Sequence, residues 1–437
     1  MKKWVRAVQV LLAATAALGL TNCGKYNCNS DDGFSFSGST CTTGSPSSIS
    51  SSGSGSSGSS SASAFVFAID SDASSGTSNG AIAGYSIDGS SATSGPISGF
   101  TAPSVPANDG GVGMVIAQKQ FLYAGFGTAE QIYGWTIDSS SGALTAISGS
   151  PYAASFLNAF GGQAAQDVMI TNPAGNLIFI ALPLRDEIYA YSIGSGGALT
   201  PVAGTPFAVP FGPINLAIDG TGKYLYAVDG NFATHTGTEI EAYSIGSSGA
   251  LTPVTGSPFV YPMWQLAGEP TGKFLIGTSG NSAASGYSGV DDDNLYVFSI
   301  SSTGAIAPVS GSPFKTVYSP FSIAVSQNSG GNLIYSFSFN DSATAFNAVE
   351  GYQISSTGTL SADAGSPFTG LGVDAGGSWG QFDQSGSLLM SYAVYVNDTN
   401  ETVTQISPLS VAGGALTQTL SALDLTTPGF WAVTDTQ

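Results

Sequence analysis

The chain has 437 residues, of which 59 are glycine and only 8% are charged, and its formal net charge is −19. Few charges with many glycines suit short strands and turns, and they argue against a protein built from amphipathic helices. The acidic balance argues against nucleic acid as a partner and against a polybasic membrane contact, because both need clustered lysine and arginine.

The first element in chain order is an export signal. Residues 1–6 are basic and residues 7–20 are apolar, a stretch too short to span a bilayer as an ordinary anchor. It leads to Leu-Thr-Asn-Cys at 20–23, which resembles a bacterial lipobox. The sequence therefore predicts a lipoprotein signal peptide over 1–22 with lipid on Cys23, in the cell envelope. Plain secretion is the alternative, since asparagine replaces the usual small residue before the cysteine.

A flexible tether follows over residues 23–64. Its end is almost entirely serine, glycine and alanine, which cannot bury a core. It acts either as a stalk that holds the domain off a membrane or as a spacer with no required length. Cys28 and Cys41 lie in this segment and form a candidate disulfide in an oxidising compartment.

One phrase then recurs along residues 65–437. It reads GALTPVAGTPF at 197–207, GALTPVTGSPF at 249–259, GAIAPVSGSPF at 304–314 and GTLSADAGSPF at 358–368. A period of about 50 residues indicates one supersecondary unit copied many times. Each period contains four short apolar runs separated by glycine turns, without a helical pattern. Four antiparallel strands per period are a β-propeller blade, so the fold class is all-β.

The strand pattern predicts seven blades and a closed ring. The third strand of the unit reads Tyr-Ser-Ile or a variant of it in six copies, with a degenerate seventh at 406–411. The domain begins with a second strand at 65–69 and ends with a lone first strand at 430–435. We therefore expect the C-terminal strand to complete the N-terminal blade and remove the exposed edges of the ring. A monomer is expected.

The repeated phrases resemble those of a known family. GALTPVAGTPF, Tyr-Ser-Ile and the Gly-Lys-Tyr-Leu-Tyr-Ala at 222–227 look like the seven-bladed lactonase-type propellers, which include 6-phosphogluconolactonase-like enzymes. The resemblance covers residues 64–437 and implies the propeller fold. It also implies hydrolysis of sugar lactones by polar and charged groups at the mouth of the central channel. The His-Pro or Arg-His that often starts the family's inner strands is replaced by GPIN at 212–215, MWQ at 263–265 and SPFS at 319–322.

The unusual residues of the chain lie in loops that share one face of such a propeller. Arg185, followed by Asp186 and Glu187, is a candidate clamp for a carboxylate or phosphate, and His235 is a candidate general base for lactone opening. The alternatives are a local ion pair of Arg185 with Asp186 or Glu187, and a solvated loop histidine. Arg185, His235 and Glu187 are therefore the catalytic candidates.

Two further groups on this face suggest binding. Asp291, Asp292 and Asp293 could hold Ca²⁺ through oxygen, although a solvated charge run is the alternative, and no other cofactor is predicted. The segments that join blades carry four candidates for a small carbohydrate-like ligand, with packing at the rim as the alternative: Asp109, Tyr261, Trp264 and Trp379.

Two classes of function remain open from the sequence. The first is a ligand-binding or protein-interaction module at the cell envelope, which the missing family residues and the long tether favour. The second is a lactone hydrolase that uses Arg185, His235 and nearby carboxylates.

Overall fold

The computed structural model describes most of the repeat region. The described residues are 64–70, 81–88, 93–106, 111–127, 129–160, 169–229, 239–261, 263–279, 293–326, 333–338, 349–368, 379–383, 386–396, 402–417, 423–425 and 431–435. The signal peptide, the tether up to residue 63 and the three cysteines therefore lie outside them, and Ala64, the last residue assigned to the tether, is the first residue of strand β1 (Ala64–Asp70).

The described residues form seven antiparallel sheets, which are the seven blades predicted from the repeats. The innermost strands of neighbouring blades contact one another around the whole ring. They are β33 (Trp431–Asp435) in blade 1 and, in blades 2 to 7, β4 (Gly113–Ala117), β9 (Met169–Thr171), β14 (Pro213–Ile218), β19 (Gln265–Gly268), β24 (Pro320–Val325) and β28 (Trp379–Phe382).

Three further strands complete each blade outward. The second strands are β1 (Ala64–Asp70), β5 (Phe121–Phe126), β10 (Leu177–Leu182), β15 (Tyr224–Asp229), β20 (Phe274–Thr278), β25 (Leu333–Ser338) and β29 (Leu388–Val396). The third strands are β2 (Ala81–Asp88), β6 (Gln131–Ile137), β11 (Glu187–Ile193), β16 (Glu239–Ile245), β21 (Asn294–Ile300), β26 (Val349–Ile354) and β30 (Thr402–Ala412). The fourth strands are β3 (Thr93–Pro96), β7 (Leu144–Ala146), β12 (Leu199–Pro201), β17 (Leu251–Pro253), β22 (Ile306–Pro308), β27 (Leu360–Ala362) and β31 (Ala415–Thr417).

The ring closes as the sequence predicts. β33 pairs antiparallel with β1, and the register runs from Ala64 opposite Asp435 to Ala68 opposite Trp431. The C-terminal strand is thus the innermost strand of the blade whose other three strands are N-terminal. Because β33 and β1 pair with each other, the described strands leave no open sheet edge where the two ends of the chain meet.

The Gly-Ser-Pro-Phe phrase forms an element that the sequence analysis did not separate. Four copies of the phrase lead into an extra short strand, which follows the fourth strand and pairs with the beginning of the third: β8 (Tyr152–Ala153), β13 (Phe207–Ala208), β18 (Phe259–Val260) and β23 (Phe314–Lys315). Blade 7, which lacks the phrase, has an equivalent strand in β32 (Leu423–Leu425), so these blades number five. In four of these blades a glycine with φ between 89° and 94° turns the chain between the two pieces. The serine or threonine after this glycine accepts a third-strand N–H, as Ser257 does from Ala242 at 2.8 Å. The phrase therefore bends and fastens the outer edge of the blade.

The Gly-Ala-Leu-Thr phrase packs one blade against the next. Its glycine has positive φ, 87° at Gly304, and a Cβ added there would lie 2.4 Å from Tyr224 of the preceding blade. The carbonyl of the same glycine accepts a hydrogen bond from Tyr226 at 3.0 Å. Equivalent bonds run from Tyr123 to Gly197 at 2.6 Å and from Tyr335 to Gly414 at 2.9 Å. We call these three bonds the tyrosine latches.

Removing one latch is expected to weaken the domain measurably. Tyr226→Phe deletes a buried donor and leaves the Gly304 carbonyl without it, so we expect a loss of about 1 kcal/mol in the free energy of unfolding. Denaturant unfolding measures the loss. Tyr191→Phe is the control, because Tyr191 is buried but its hydroxyl makes no hydrogen bond among the described residues. Equal losses in the two variants would contradict the latch.

Successive strands run in opposite directions, which gives the ring two distinct faces. Second strands end and third strands begin on one face, where the segments between blades also lie; we call this the mouth face. The turns between first and second strands lie on the opposite face, which we call the turn face. Two of these turns are each closed by a buried carboxylate. Asp219 accepts the N–H groups of Thr221, Lys223 and Tyr224 in blade 4. Glu269 accepts those of Lys273 and Phe274 in blade 5.

Candidate functional site

Aromatic rings from three consecutive blades meet on the mouth face at the centre of the ring. Trp264 immediately precedes β19, Phe321 is the second residue of β24 and Trp379 begins β28. The ring centroids of Trp264 and Phe321 are 5.7 Å apart, and those of Phe321 and Trp379 are 5.3 Å apart in an edge-on arrangement. We call these three residues the aromatic arc.

The arc is neither fully buried nor fully exposed. Phe321 is 9% exposed, whereas Trp264 and Trp379 are half-buried. Tyr392 of β29 supports Trp379 from within blade 7, at a centroid distance of 6.0 Å. Two indoles that flank a buried phenyl ring therefore present apolar surface at the place where innermost strands begin. Such surfaces bind flat or partly apolar ligands by stacking.

The strands that carry the arc are tied together by side-chain amides. The Gln265 side-chain oxygen accepts the backbone N–H of Ile323 at 2.8 Å, which joins blade 5 to blade 6. The Asn215 side-chain oxygen accepts the N–H of Leu266 at 3.0 Å, which joins blade 4 to blade 5. Since each bond crosses between innermost strands, the spacing of Trp264 and Phe321 is fixed by the ring itself.

Two carboxylates hold the segment that leads into Phe321. Glu350, which is 1% exposed, accepts the backbone N–H groups of Val317 at 3.0 Å and Tyr318 at 2.9 Å. Asp293 accepts Ser319 Oγ at 2.6 Å and Lys315 Nζ at 2.9 Å. These hydrogen bonds, from Ser319 first and Lys315 second, lower the pKa of Asp293. Residues 316–319 are thus clamped from blade 5 and from blade 6.

The structure separates the sequence-predicted binding residues. Trp264 and Trp379 belong to the arc, but Tyr261 packs against Phe298 of β21 in a tilted arrangement, with ring centroids 4.7 Å apart, and has no ring contact with the arc among the described residues. Asp109 lies outside the described residues. Phe321 was missed, because within the run Pro-Phe-Ser-Ile-Ala-Val it has the pattern of an ordinary strand residue. Only ring closure, which brings three strand starts together, reveals its position.

The catalytic candidates are only partly described. Arg185 is exposed in the turn between β10 and β11 of blade 3, and Glu187 is half-buried at the start of β11. Among the described residues Arg185 forms no ion pair, so the pairing with Asp186 or Glu187 considered above is not found. His235 lies outside the described residues, and its distance from Arg185 stays a prediction.

The calcium candidates are described for one residue only. Both oxygens of Asp293 already accept protein hydrogen bonds, while Asp291 and Asp292 lie outside the described residues. In the part of the chain that the structure covers, no three acidic, histidine or cysteine side chains gather where a metal ion could be held. A Ca²⁺ site would therefore depend on Asp291 and Asp292.

Comparisons with known proteins define the fold. No family model and no curated protein matches the sequence. A candidate 6-phosphogluconolactonase from Bacteroides fragilis is 17% identical with a TM-score of 0.55, over 85% of this chain and 98% of that one. A second, from Bacteroides uniformis, is 15% identical with a TM-score of 0.57, over 85% and 99%. The periplasmic gluconolactonase of Pseudomonas aeruginosa is 13% identical with a TM-score of 0.56, over 86% and 100%.

These likenesses show a shared fold. The chain is a seven-bladed β-propeller, as its repeated phrases predict, and its fold is similar to that of these lactonase-like proteins. Within the described residues, no helix is long and apolar enough to cross a membrane.

Proposed function

We propose that the protein binds a small carbohydrate-like ligand at the aromatic arc and works as a ligand-binding module of the bacterial cell envelope. The observation that carries the proposal is the meeting of Trp264, Phe321 and Trp379 over the centre of the ring. A sugar ring presents C–H groups on one face and hydroxyls at its edge. Stacking on an indole with hydrogen bonding from the rim suits that chemistry.

The arc has the properties of a prepared binding surface. Its strands are tied to one another by Gln265 and Asn215, and its entry segment is clamped by Glu350 and Asp293. Little conformational entropy would be lost on binding, because the rings are already held by the fold. Residues of three separate blades are used, which explains why the repeated phrases do not encode the site.

The location of the protein is proposed from its N-terminal sequence. The lipobox-like residues around Cys23 favour a lipoprotein anchored in the envelope, and the tether favours a domain that stands clear of the membrane. The ligand would then be an extracytoplasmic saccharide or the glycan of an envelope protein.

Truncating the arc tests the proposal. We expect Trp264→Ala and Trp379→Ala each to weaken binding of a soluble oligosaccharide by about tenfold or more, because each removes one stacking surface. Titration calorimetry against a panel of oligosaccharides measures the affinities. Tyr261→Phe is the matched control, since it alters an aromatic residue of the same face that lies apart from the arc. Unchanged affinity in both tryptophan variants, with folding intact, would refute the site.

A lactone hydrolase is the second candidate. It is favoured by the fold shared with a periplasmic gluconolactonase and by the exposed Arg185 in blade 3. In that case Arg185 would bind the carbonyl oxygen of the lactone, and His235 would take a proton from the water that attacks it, with Glu187 as a further carboxylate. A hydrolysis assay with gluconolactone decides between the candidates. Activity that is lost in His235→Ala and in Arg185→Ala would favour the enzyme, and no activity above the spontaneous rate would remove it.

A further inference from the structure

Charged side chains are divided unequally between the two faces of the propeller. Three of its lysines lie in turns between first and second strands, on the turn face: Lys119, Lys223 and Lys273. Lys223 and Lys273 are exposed, whereas the carboxylates of the same turns, Asp219 and Glu269, are buried under backbone N–H groups. In these two turns the lysines therefore face outward and the carboxylates lie inside, whereas Asp138, at the turn-face end of β6, is exposed.

On the mouth face, carboxylates outnumber cations among the described residues. Carboxylates mark the mouth-face ends of second and third strands and the turns between them in blades 2 to 5: Glu130, Asp186, Glu187, Asp229, Glu239 and Asp293. The cations described on this face are Arg185, in blade 3, and Lys315. Lys315 is paired with Asp293 at 2.9 Å.

The blades that carry the arc contain few lysines and no arginine. After residue 223 the chain contains two lysines, Lys273 and Lys315, no arginine, and one histidine, His235 of blade 4, which lies outside the described residues. Lys273 lies on the turn face, at the opposite end of the channel from Trp264, and Lys315 already neutralises Asp293. An anionic group at the arc would therefore meet apolar rings, with no unpaired lysine or arginine of the mouth face in blades 5 to 7 to neutralise it.

We infer that the saccharide taken at the aromatic arc is uncharged, and that phosphorylated and carboxylated sugars are excluded from it. The inference rests on the proposed function, since it specifies the ligand of the same site. Phosphate and carboxylate groups bind where arginine or lysine offers charge-assisted hydrogen bonds. Without such a partner an anion loses hydration at the apolar rings and is repelled by the rim. A neutral sugar has no charge to desolvate and is not repelled by the rim, so it keeps its stacking energy.

The inference distinguishes the aromatic arc from a site that binds a sugar phosphate. A phosphorylated lactone would carry its dianion to a rim whose one nearby cation is already paired. The same rim is compatible with neutral hexoses, acetylated amino sugars and esterified uronates, because these present hydroxyl, amide or ester groups in place of charge.

Matched pairs of saccharides test the inference. The probes are dextran against dextran sulfate, and methyl-esterified against free oligogalacturonate, titrated calorimetrically into the full chain with Trp264→Ala as the arc control. We expect the neutral member of a pair to bind at least about tenfold more tightly at low salt. The difference in affinity between the neutral and the anionic member should become smaller at high salt, because screening weakens the repulsion. Anionic members that bind as tightly as their neutral partners would overturn the inference and leave the proposed function standing. No arc-dependent binding by any probe would overturn both.

A charge placed on the clamped segment that leads into Phe321 gives an independent test. Val317 is 63% exposed in the clamped segment, and its backbone N–H, not its side chain, contacts Glu350. Val317→Lys should therefore narrow the preference for the neutral member by about threefold or more without unfolding the segment. Val317→Met is the matched control of similar length without charge. An equal shift in the two variants, or none in Val317→Lys, would count against exclusion by charge.

Discussion

Removing residues 428–437 is expected to destabilise the propeller by about 5 kcal/mol or more, or to prevent folding altogether. The deletion takes away β33, which is the innermost strand of blade 1 and pairs with β1 over five residues. The loss exposes the inner edge of β1, whose residues Phe65, Phe67 and Ile69 are at most 2% exposed in the closed ring. It also breaks the contacts of β33 with β4 and β28 on either side.

The result is read from thermal and denaturant unfolding of the soluble domain. A deletion of residues 436 and 437 alone is the control, because it shortens the chain beyond the end of β33. The longer deletion should also populate oligomers, since an open sheet edge pairs with other chains. A melting temperature equal to that of the intact domain would show that closure contributes no stability.

Replacing Asp363 with valine is expected to stabilise the domain by about 2 kcal/mol near neutral pH. Asp363 is 5% exposed, and among the described residues its Oδ2 atom has no hydrogen-bond partner. The repeats place valine here in other blades, at Val202, Val254 and Val309. A Cβ on Gly304 would lie 2.9 Å from Val254, and one on Gly414 would lie 2.4 Å from Asp363. Asp363 thus fills an apolar position between blades 6 and 7.

The gain should depend on pH. Burial raises the pKa of Asp363, so the folded chain keeps this proton at pH values where the unfolded chain, with a pKa near ~4, has released it. Stability of the natural protein therefore falls as pH rises from about 4 through the raised pKa. Burial raises the pKa of Glu241 as well, which adds a fall of the same sign. Asp138 and Asp293 have lowered pKa values, about 2 for Asp138, and act in the opposite direction below pH ~4.

Denaturant unfolding at pH 4 and pH 8 measures this dependence. The advantage of Asp363→Val should widen between the two pH values, because valine has no proton to lose. Gln353, which donates to Asp363 at 2.8 Å, is exposed and can turn to water. Val254→Asp is the reciprocal control. It should make the free energy of unfolding depend on pH in the same way, because it places a carboxyl group at the equivalent position of blade 4. An advantage that is constant with pH would show that the carboxyl group is already paired.

Much of the fold is predictable from sequence because the blades repeat. Six third strands can be counted by Tyr-Ser-Ile or a variant of it, and a seventh by the degenerate run at 406–411. The closure follows from the unmatched strands at 65–69 and 430–435. The extra short strand after the fourth strand is harder to predict. The proline and the positive-φ glycine predict a turn, but they do not predict that the chain pairs with the third strand again after that turn. Asp363 is visible once the repeats are aligned, although its burial is not.

The site is less predictable, for a reason that lies in the ring. Trp264 and Trp379 are 115 positions apart in the sequence, and each looks like a rim residue of its own blade. Their relation depends on Phe321, which joins them only when consecutive innermost strands stand side by side. Arg185 and Glu187 are candidates because charged residues are rare in this chain. That rarity identifies unusual residues, but it does not indicate where side chains converge.

The tyrosine latches have a consequence for how the ring would open. They start from blades 2, 4 and 6, while the equivalent residues of blades 1, 3, 5 and 7 are Phe67, Phe179, Ile276 and Met390. Alternation cannot continue around an odd-membered ring, so two adjacent interfaces, from blade 7 to blade 1 and from blade 1 to blade 2, both lack the bond. They flank the blade that is assembled from both chain ends. This sector is the mechanical seam of the molecule, and amide hydrogen exchange should begin there before it reaches the latched blade pairs.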